Sequence, residues 1–322
     1  MSCVLGIDVG GTKVAVAAVE GGQTSHGVEH PTDLTSSEAL LDGIAAGVNE
    51  VSARAGRPDA IGIGVPSQVE FATGTVLSSV NIPLAGVPLR EGLGTRFGVP
   101  VFVDNDANCA GLAEAQLVPD PPAGHLVMIT LGTGVGGGVI IDGQIFRGAT
   151  GLGAEIGHVV IDADSEGEQP EGRFPRPGSL EWLCSGNGLE REATRRARAE
   201  PESGLGRVNA EKGRVSGRDA VKLAKGGDAG ALDLFGWHGR YLGTGIAGVV
   251  NTFEPEYVVI GGGLSRCAEL FLETARAEAA RWALPALWER TSLRVAGGGA
   301  DAGVIGAGLL ARQELARSRD TA

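Results

Sequence analysis

Short apolar runs, each broken by glycine, recur along the chain. Val4 to Ile7 is a run with β-branched Val4 and Ile7, Asp8-Val9-Gly10-Gly11-Thr12-Lys13 interrupts it, and Val14 to Val19 resumes. Branched residues favour strands, and Asp and Gly favour turns, so this pattern predicts a hairpin. The plan returns mid-chain: Val127 to Leu131, then Gly132-Thr133-Gly134-Val135-Gly136-Gly137-Gly138, then Val139 to Ile141. Two such hairpins predict a duplicated, two-lobed architecture.

Between the hairpins the pattern alternates helix and buried strand. Thr35-Ser36-Ser37-Glu38 fits a capping box, followed by Leu40, Leu41, Ile44, Val48 and Val51 on one helical face. Gly56 and Pro58 end that helix, and Ala60 to Val65 reads as a buried strand. Leu89, Leu93 and Phe97 mark a second amphipathic helix. Val99 to Val103 is a strand running into Asp104-Asn105-Asp106-Ala107-Asn108, and a helix through Ala110, Leu112, Glu114 and Leu117 follows.

After the second hairpin, Leu180 to Leu183 starts a short helix that Gly186 to Gly188 breaks, and Glu190 to Glu200 is a charged helix. Asp228 to Phe253 reads as one long helix, with Leu232, Phe235, Leu242, Ile246 and Val249 at roughly helical spacing and His238 in a packing or solvent-facing role. Tyr257 to Ile260 is a buried strand ending in Gly261-Gly262-Gly263, with a helix from Cys267 to Ala279 after it. Leu293 to Ala296 is the last strand, and Asp301 to Gly308 opens a small-residue helix reaching about Ala316.

Composition narrows the class. With 322 residues, 43% of them hydrophobic, the chain can bury one large core or two ordinary ones. A net charge of −12 argues against nucleic acid, whose phosphates select basic patches. It leaves room for a small phosphorylated ligand held by local amides and a metal ion. No basic segment precedes an apolar run at the N-terminus, and no apolar run approaches a membrane span. Cys3, Cys109, Cys184 and Cys267 lack zinc or redox spacing, which suits a reduced, cytoplasmic enzyme. Val118 to Gly124, with three prolines, reads as a linker, and Asp162 to Pro177 as an exposed acidic loop.

The interruptions carry the candidate chemistry. Five glycines between Gly132 and Gly138 free the backbone for φ > 0, and amides turned into one concavity cradle an anion, with Thr133 adding a hydroxyl. Asp8, at a strand end beside glycines, can hold a hydrated Mg²⁺ against phosphate; as a bland alternative it is a turn former. Asp106 at a helix start is either a cap or a site group, and the run of polar and small residues around it favours a site. Glu155 and His158 follow the second hairpin within Gly153-Ala154-Glu155-Ile156-Gly157-His158, an acceptor and a polar ring suited to hydroxyls. A phosphate cradle beside such groups suggests phosphoryl transfer to a polyol.

In that order the motifs DxGGT, DNDAN, GTGVGGG, GAEIGH and a late GGG resemble the ROK family of sugar kinases, relatives of the actin-like, hexokinase-like and Hsp70-like ATPases. The resemblance covers Leu5 to about Leu310. It implies an α/β, two-lobed duplicated actin-like ATPase (ribonuclease H-like) fold with the active site in the interlobe cleft. The lobes would be 1–118 plus 305–322, and 119–304. It implies ATP and Mg²⁺ as cofactors, a hexose substrate and a homodimer, with no membrane partner.

Residue by residue, the resemblance makes Asp8, Gly10, Gly11, Thr12 and Lys13 the first phosphate loop, with Asp8 holding Mg²⁺ through water. Gly132, Thr133 and Gly134 belong to the second, and Gly261, Gly262 and Gly263 contact adenosine. Asp106 matches the catalytic base; Asn105, Glu155, His158 and Glu181 match the hexose-binding residues. The implied reaction is ATP-dependent phosphorylation of glucose at its primary hydroxyl, an entry to glycolysis. Kinases for fructose, mannose, allose or an N-acetylhexosamine are alternatives. A sugar-responsive ROK transcriptional regulator is less favoured, because only Met1 to Val4 precede the first hairpin and the chain is acidic.

Two segments depart from the family. Where many members carry zinc-binding cysteines, alignment on Gly178 and Glu181 puts Gly172, Phe174 and Ser179, so no structural zinc is expected and a carboxylate or carbonyl should fix the tautomer of His158. Pro66-Ser67-Gln68-Val69-Glu70 stands where the family has Pro-Gly-Pro and an Asp, a change that bears on sugar specificity.

Overall fold

The computed structural model describes residues 3–117, 122–167 and 173–320. Part of the linker (118–121) and part of the acidic loop, with Gly172, lie outside the described residues. In order, the elements are β1 (Val4–Val9), β2 (Lys13–Glu20), β3 (Gln23–Pro31), α1 (Ser37–Ala55), β4 (Ala60–Val65), β5 (Ser67–Glu70), β6 (Thr75–Ser79), α2 (Leu89–Phe97), β7 (Val101–Asn105) and α3 (Asp106–Leu117). Then come β8 (Leu126–Leu131), β9 (Val135–Ile141), β10 (Gln144–Ile145), α4 (Leu180–Cys184), α5 (Gly186–Ala199), α6 (Gly204–Lys212), α7 (Gly217–Lys225) and α8 (Ala229–Phe253). The chain closes with β11 (Tyr257–Gly261), α9 (Leu272–Trp282), α10 (Pro285–Trp288), β12 (Ser292–Val295) and α11 (Ala302–Asp320). Among the described residues no helix is long and apolar enough to cross a membrane.

The two five-stranded sheets have matching orders, β3-β2-β1-β4-β7 and β10-β9-β8-β11-β12. Each places its opening strand, β1 or β8, in the middle, and the matching orders fit the duplication that the repeated hairpin predicts. The chain divides into two compact units, Met1–Met128 with Gly138–Ala154 and Gly297–Ala322, and Ile129–Gly137 with Glu155–Ala296.

In unit one, β1 pairs antiparallel with β2 and parallel with β4. Both faces of this sheet are covered, which is why β4 and β1 as far as Ile7 are apolar rather than alternating with polar residues, Asp8 following at the end of β1. Leu5, Ile7, Ile61 and Ile63 pack with Leu40, Ile44, Val48 and Val51 of α1. Val4, Ala15, Val19 and Ala60 pack with Val304, Ala311 and Leu315 of α11. Gly6 and Gly62, register partners in β1 and β4, let α11 lie backbone to backbone on the sheet. A Cβ on Gly62 would sit 1.7 Å from the Ala307 carbonyl oxygen, and one on Gly6 would sit 1.9 Å from that of Val304.

Several boundaries differ from the sequence expectations. Ser36, not Thr35, caps α1, its hydroxyl accepting from the Ala39 amide at 3.1 Å. Gly186 begins α5 instead of breaking a helix, because the Ser185 hydroxyl caps the new start on the Gly188 amide. The segment after β11 is a 3₁₀ turn over Gly263–Leu270, interrupted by non-helical Cys267, before α9 starts. Residues 138–154 fall in unit one. Gln313 holds the Gly143 carbonyl at 2.9 Å, and Gly138 lies so close to α3 that a Cβ would be 2.4 Å from the Ala107 oxygen. Unit one likewise resumes at Gly297, whose amide and that of Gly298 donate to Glu114.

Candidate active site

The first hairpin turns between Asp8 and Lys13. The Gly10 amide donates to the Lys13 carbonyl at 2.8 Å, and the Thr32 hydroxyl donates to the Gly10 carbonyl at 2.7 Å. Gly11 and Thr12 are exposed, so the turn is open to a ligand. Lys13 begins β2 and its ammonium pairs with Glu29 of β3. The partly buried Asp8 carboxylate packs against Gly303 of α11. Its pKa is pushed up to about 6, chiefly by burial and next by the negative charge of Asp106.

β7 delivers Asp104, Asn105 and Asp106 to the start of α3. The Asn105 side chain accepts from the Ala107 amide at 2.8 Å and donates to the Ser67 carbonyl at 3.3 Å. Asp106 is the first residue of α3; one carboxylate oxygen accepts from the Ala107 amide at 2.9 Å. Burial raises its pKa, and backbone hydrogen bonds offset part of that. A divalent cation at Asp8 would offset the neighbouring negative charge of Asp106, and Mg²⁺ needs only one or two carboxylates besides phosphate oxygens and waters.

Beneath this pair lies a network that sequence reasoning missed. Asp104 is 3% exposed. It accepts from Arg147 Nε at 2.7 Å, from the Asn105 amide at 2.8 Å and from Asn108 Nδ2 at 2.8 Å. Arg147 also pairs with Glu314 at 3.2 Å and stacks 3.6 Å from the centre of the Phe71 ring. The DNDAN run offers two aspartates with no local mark to separate them. Arg147 identifies Asp104 as the structural one, and that pairing is visible only in three dimensions.

In unit two, three segments meet at Val135. Its amide donates to Glu181 at 2.8 Å, and its carbonyl lies where a Cβ on Gly157 would be 2.2 Å away. Glu181 therefore ties the glycine loop to α4, and Gly157 lets the Glu155–His158 turn close on β9. The Gly186 amide, at the start of α5, donates to Gly132 O at 2.8 Å, and Thr133 is exposed at the turn.

One expectation fails here. None of Gly10, Gly11, Gly132, Gly134 or Gly136 to Gly138 has φ > 0, and Val135–Ile141 is strand rather than nest. These glycines serve close approach: a Cβ on Gly134 would lie 2.6 Å from Glu181 Oε2. Gly262 is the one with positive φ, 79°, and a Cβ there would be 2.5 Å from the Leu131 oxygen. Gly261 ends β11, and Gly262 and Gly263 form an exposed turn.

Glu155 precedes a single 3₁₀ turn, Ile156–His158. His158 Nε2 lies 3.8 Å from Glu155 Oε2, too far for a direct hydrogen bond, so both groups can take a ligand hydroxyl. His158 Nδ1 is buried and makes no hydrogen bond. Among the described residues no carboxylate or carbonyl hydrogen-bonds either nitrogen of this ring, where one was expected to. Instead the Phe174 ring stands edge-on to it at 5.2 Å between centroids.

The residues here do not fit a zinc ion. Phe174 has no donor atom, and the Ser179 hydroxyl is engaged in capping α4 on the Trp182 amide at 3.2 Å. Among the described residues no three His, Cys, Asp or Glu side chains gather as a metal site.

The sequence profile of the ROK family matches residues 4–314. The chain belongs to the ROK family. It is 35% identical over 320 residues to the glucokinase of Halalkalibacterium halodurans, covering 96% of this chain and 95% of that one. A ROK hexokinase structure from Thermus thermophilus matches with a TM-score of 0.80 at 33% identity, covering 98% of this chain and 99% of that one. A ROK family glucokinase from Streptomyces griseus, solved with glucose and AMPPNP, matches with a TM-score of 0.75 at 33% identity, over 97% and 99% of the two chains. This ROK chain shares the actin-like ATPase fold that the family resemblance implied.

Proposed function

We propose that this ROK protein is an ATP-dependent hexokinase whose substrate is D-glucose. The observation that carries the reading is Asp106, partly buried at the first position of α3 with its proton affinity raised, beside Asn105. Asp106 takes the proton of the sugar's primary hydroxyl as that oxygen attacks the γ-phosphate. Amides of the Gly10–Lys13 and Gly132–Gly134 turns receive the developing phosphoryl charge. Asp8 would hold Mg²⁺, which would supply further charge neutralisation, and the Gly261–Gly263 turn takes the adenosine. Asn105, Glu155, His158 and the free oxygen of Glu181 accept or donate to ring hydroxyls. A site built to pair those groups rejects sugars that leave them unpaired. The glucokinases among the relatives, one solved with glucose and AMPPNP, support the choice of sugar and of nucleotide. A homodimer follows from the same family likeness.

The Ser67–Glu70 departure touches the sugar side, since Ser67 O accepts from Asn105. Glucose, fructose, mannose, allose and N-acetylhexosamines compared in a coupled ADP-release assay decide specificity. Glucose is expected to have the highest kcat/KM, and any other sugar above it would displace the assignment. Asp106→Asn keeps the shape but cannot accept a proton. It should lower kcat by about 10²-fold or more with sugar affinity little changed. Near-wild-type kcat in that variant would rule Asp106 out as the base.

A further inference from the structure

We infer that Phe174 is the positioning residue for His158, setting the orientation and tautomer of its ring; the inference rests on the proposed sugar site. Phe174 is 63% exposed, and its ring centroid is 5.2 Å from that of His158 and 5.4 Å from the Arg176 guanidinium. A phenylalanine that contributes so little to a core has a local job. The segment carrying it is clipped in place without metal. The Ile161 and Asp162 amides donate to the Gly178 carbonyl at 2.8 and 3.1 Å, and the Leu180 amide donates to Val159 O at 2.9 Å. Tyr241 adds a hydroxyl bond to Asp162 at 3.1 Å. Gly178, at φ 79°, permits the turn, since a Cβ there would be 1.9 Å from the Asp162 oxygen.

The tautomer follows from the surroundings of the two nitrogens. A proton on Nδ1 would be a buried donor with no acceptor, which is disfavoured. A proton on Nε2 faces the Glu155 carboxylate 3.8 Å away and is attracted by it. The proton therefore resides on Nε2, and His158 presents a donor to a sugar hydroxyl whose own proton Glu155 can accept. The Phe174 ring restrains the imidazole from turning Nδ1 outward, which would reverse the pattern. Edge-on aromatic contacts of this spacing are attractive and directional.

Two measurements test this. Long-range ¹H–¹⁵N correlation spectra of the full-length wild-type chain should show His158 as a single Nε2–H tautomer; a proton on Nδ1 overturns the proposal. Phe174→Ala should raise the KM for hexose about three- to tenfold, the range that ordering one side chain spans, with kcat and the KM for ATP unchanged. The His158 signals should then report mixed tautomers. Phe174→Tyr, which keeps the ring, should restore both readouts. Phe174→Ala with wild-type hexose KM and a single tautomer, while His158→Ala weakens hexose use, defeats the role of Phe174 alone. If His158→Ala leaves every hexose unaffected, the sugar-site reading falls, and the spectra still decide the packing claim.

Discussion

At the scale of single residues, Asp106 and Asp104 stand two positions apart and do opposite work. Asp104 is neutralised by Arg147, whereas Asp106 has only backbone donors, so its proton affinity rises through burial. A raised carboxylate pKa means that the base is lost to protonation sooner as pH falls. The acid limb of the kcat/KM profile should therefore lie above 3.8, the ordinary aspartate value. A profile flat down to that pH would exclude Asp106 as the titrating base. Removing Arg147 should leave a buried, uncompensated carboxylate at Asp104. Arg147→Ala is expected to lose about 3–5 kcal/mol of stability in denaturant unfolding. A loss under about 1 kcal/mol, the range of exposed ion pairs, would show the pair to be a surface-like contact.

At the scale of elements, glycine settles how closely helices approach sheets. The contact of α11 with β1 and β4 has no room for a side chain at Gly62, where a methyl would meet helix backbone at 1.7 Å. Gly62→Ala should destabilise by about 3 kcal/mol, the upper range for overpacking, as α11 is displaced. Gly43, inside α1, faces open space, and a methyl added there would have no neighbour within 4 Å. Gly43→Ala should stabilise by up to about 1 kcal/mol, because alanine is the better helix former. Thermal melts of the two variants check the contrast; equal shifts would contradict the close-packing account. The sequence shows that both positions are glycine but not why. Spacing marked Gly132 to Gly138 as an anion-cradling turn with φ > 0, yet most of it is strand, because Gly138 must pass against Ala107 and Gly134 against Glu181.

At the scale of the whole molecule, one consequence is that folding should not depend on zinc. After exhaustive chelation the protein should keep its melting temperature, and elemental analysis should show no bound zinc. Stoichiometric zinc removable only by unfolding would contradict this. Local pattern made much of this molecule legible: the two hairpins, the helices α1, α3 and α8, and the motifs that place Asp8, Asp106, Glu155 and His158 at turns and strand ends. Those features depend on neighbours within a turn or a strand, where residue preference and periodicity act directly. The rest was decided by tertiary structure. That Arg147 meets Asp104, that residues 138–154 join unit one, that Glu181 holds Val135, and that a phenylalanine stands beside His158 all depend on how distant segments pack. The sequence names the partners, but local propensity carries no information about which of them close packing will bring into contact.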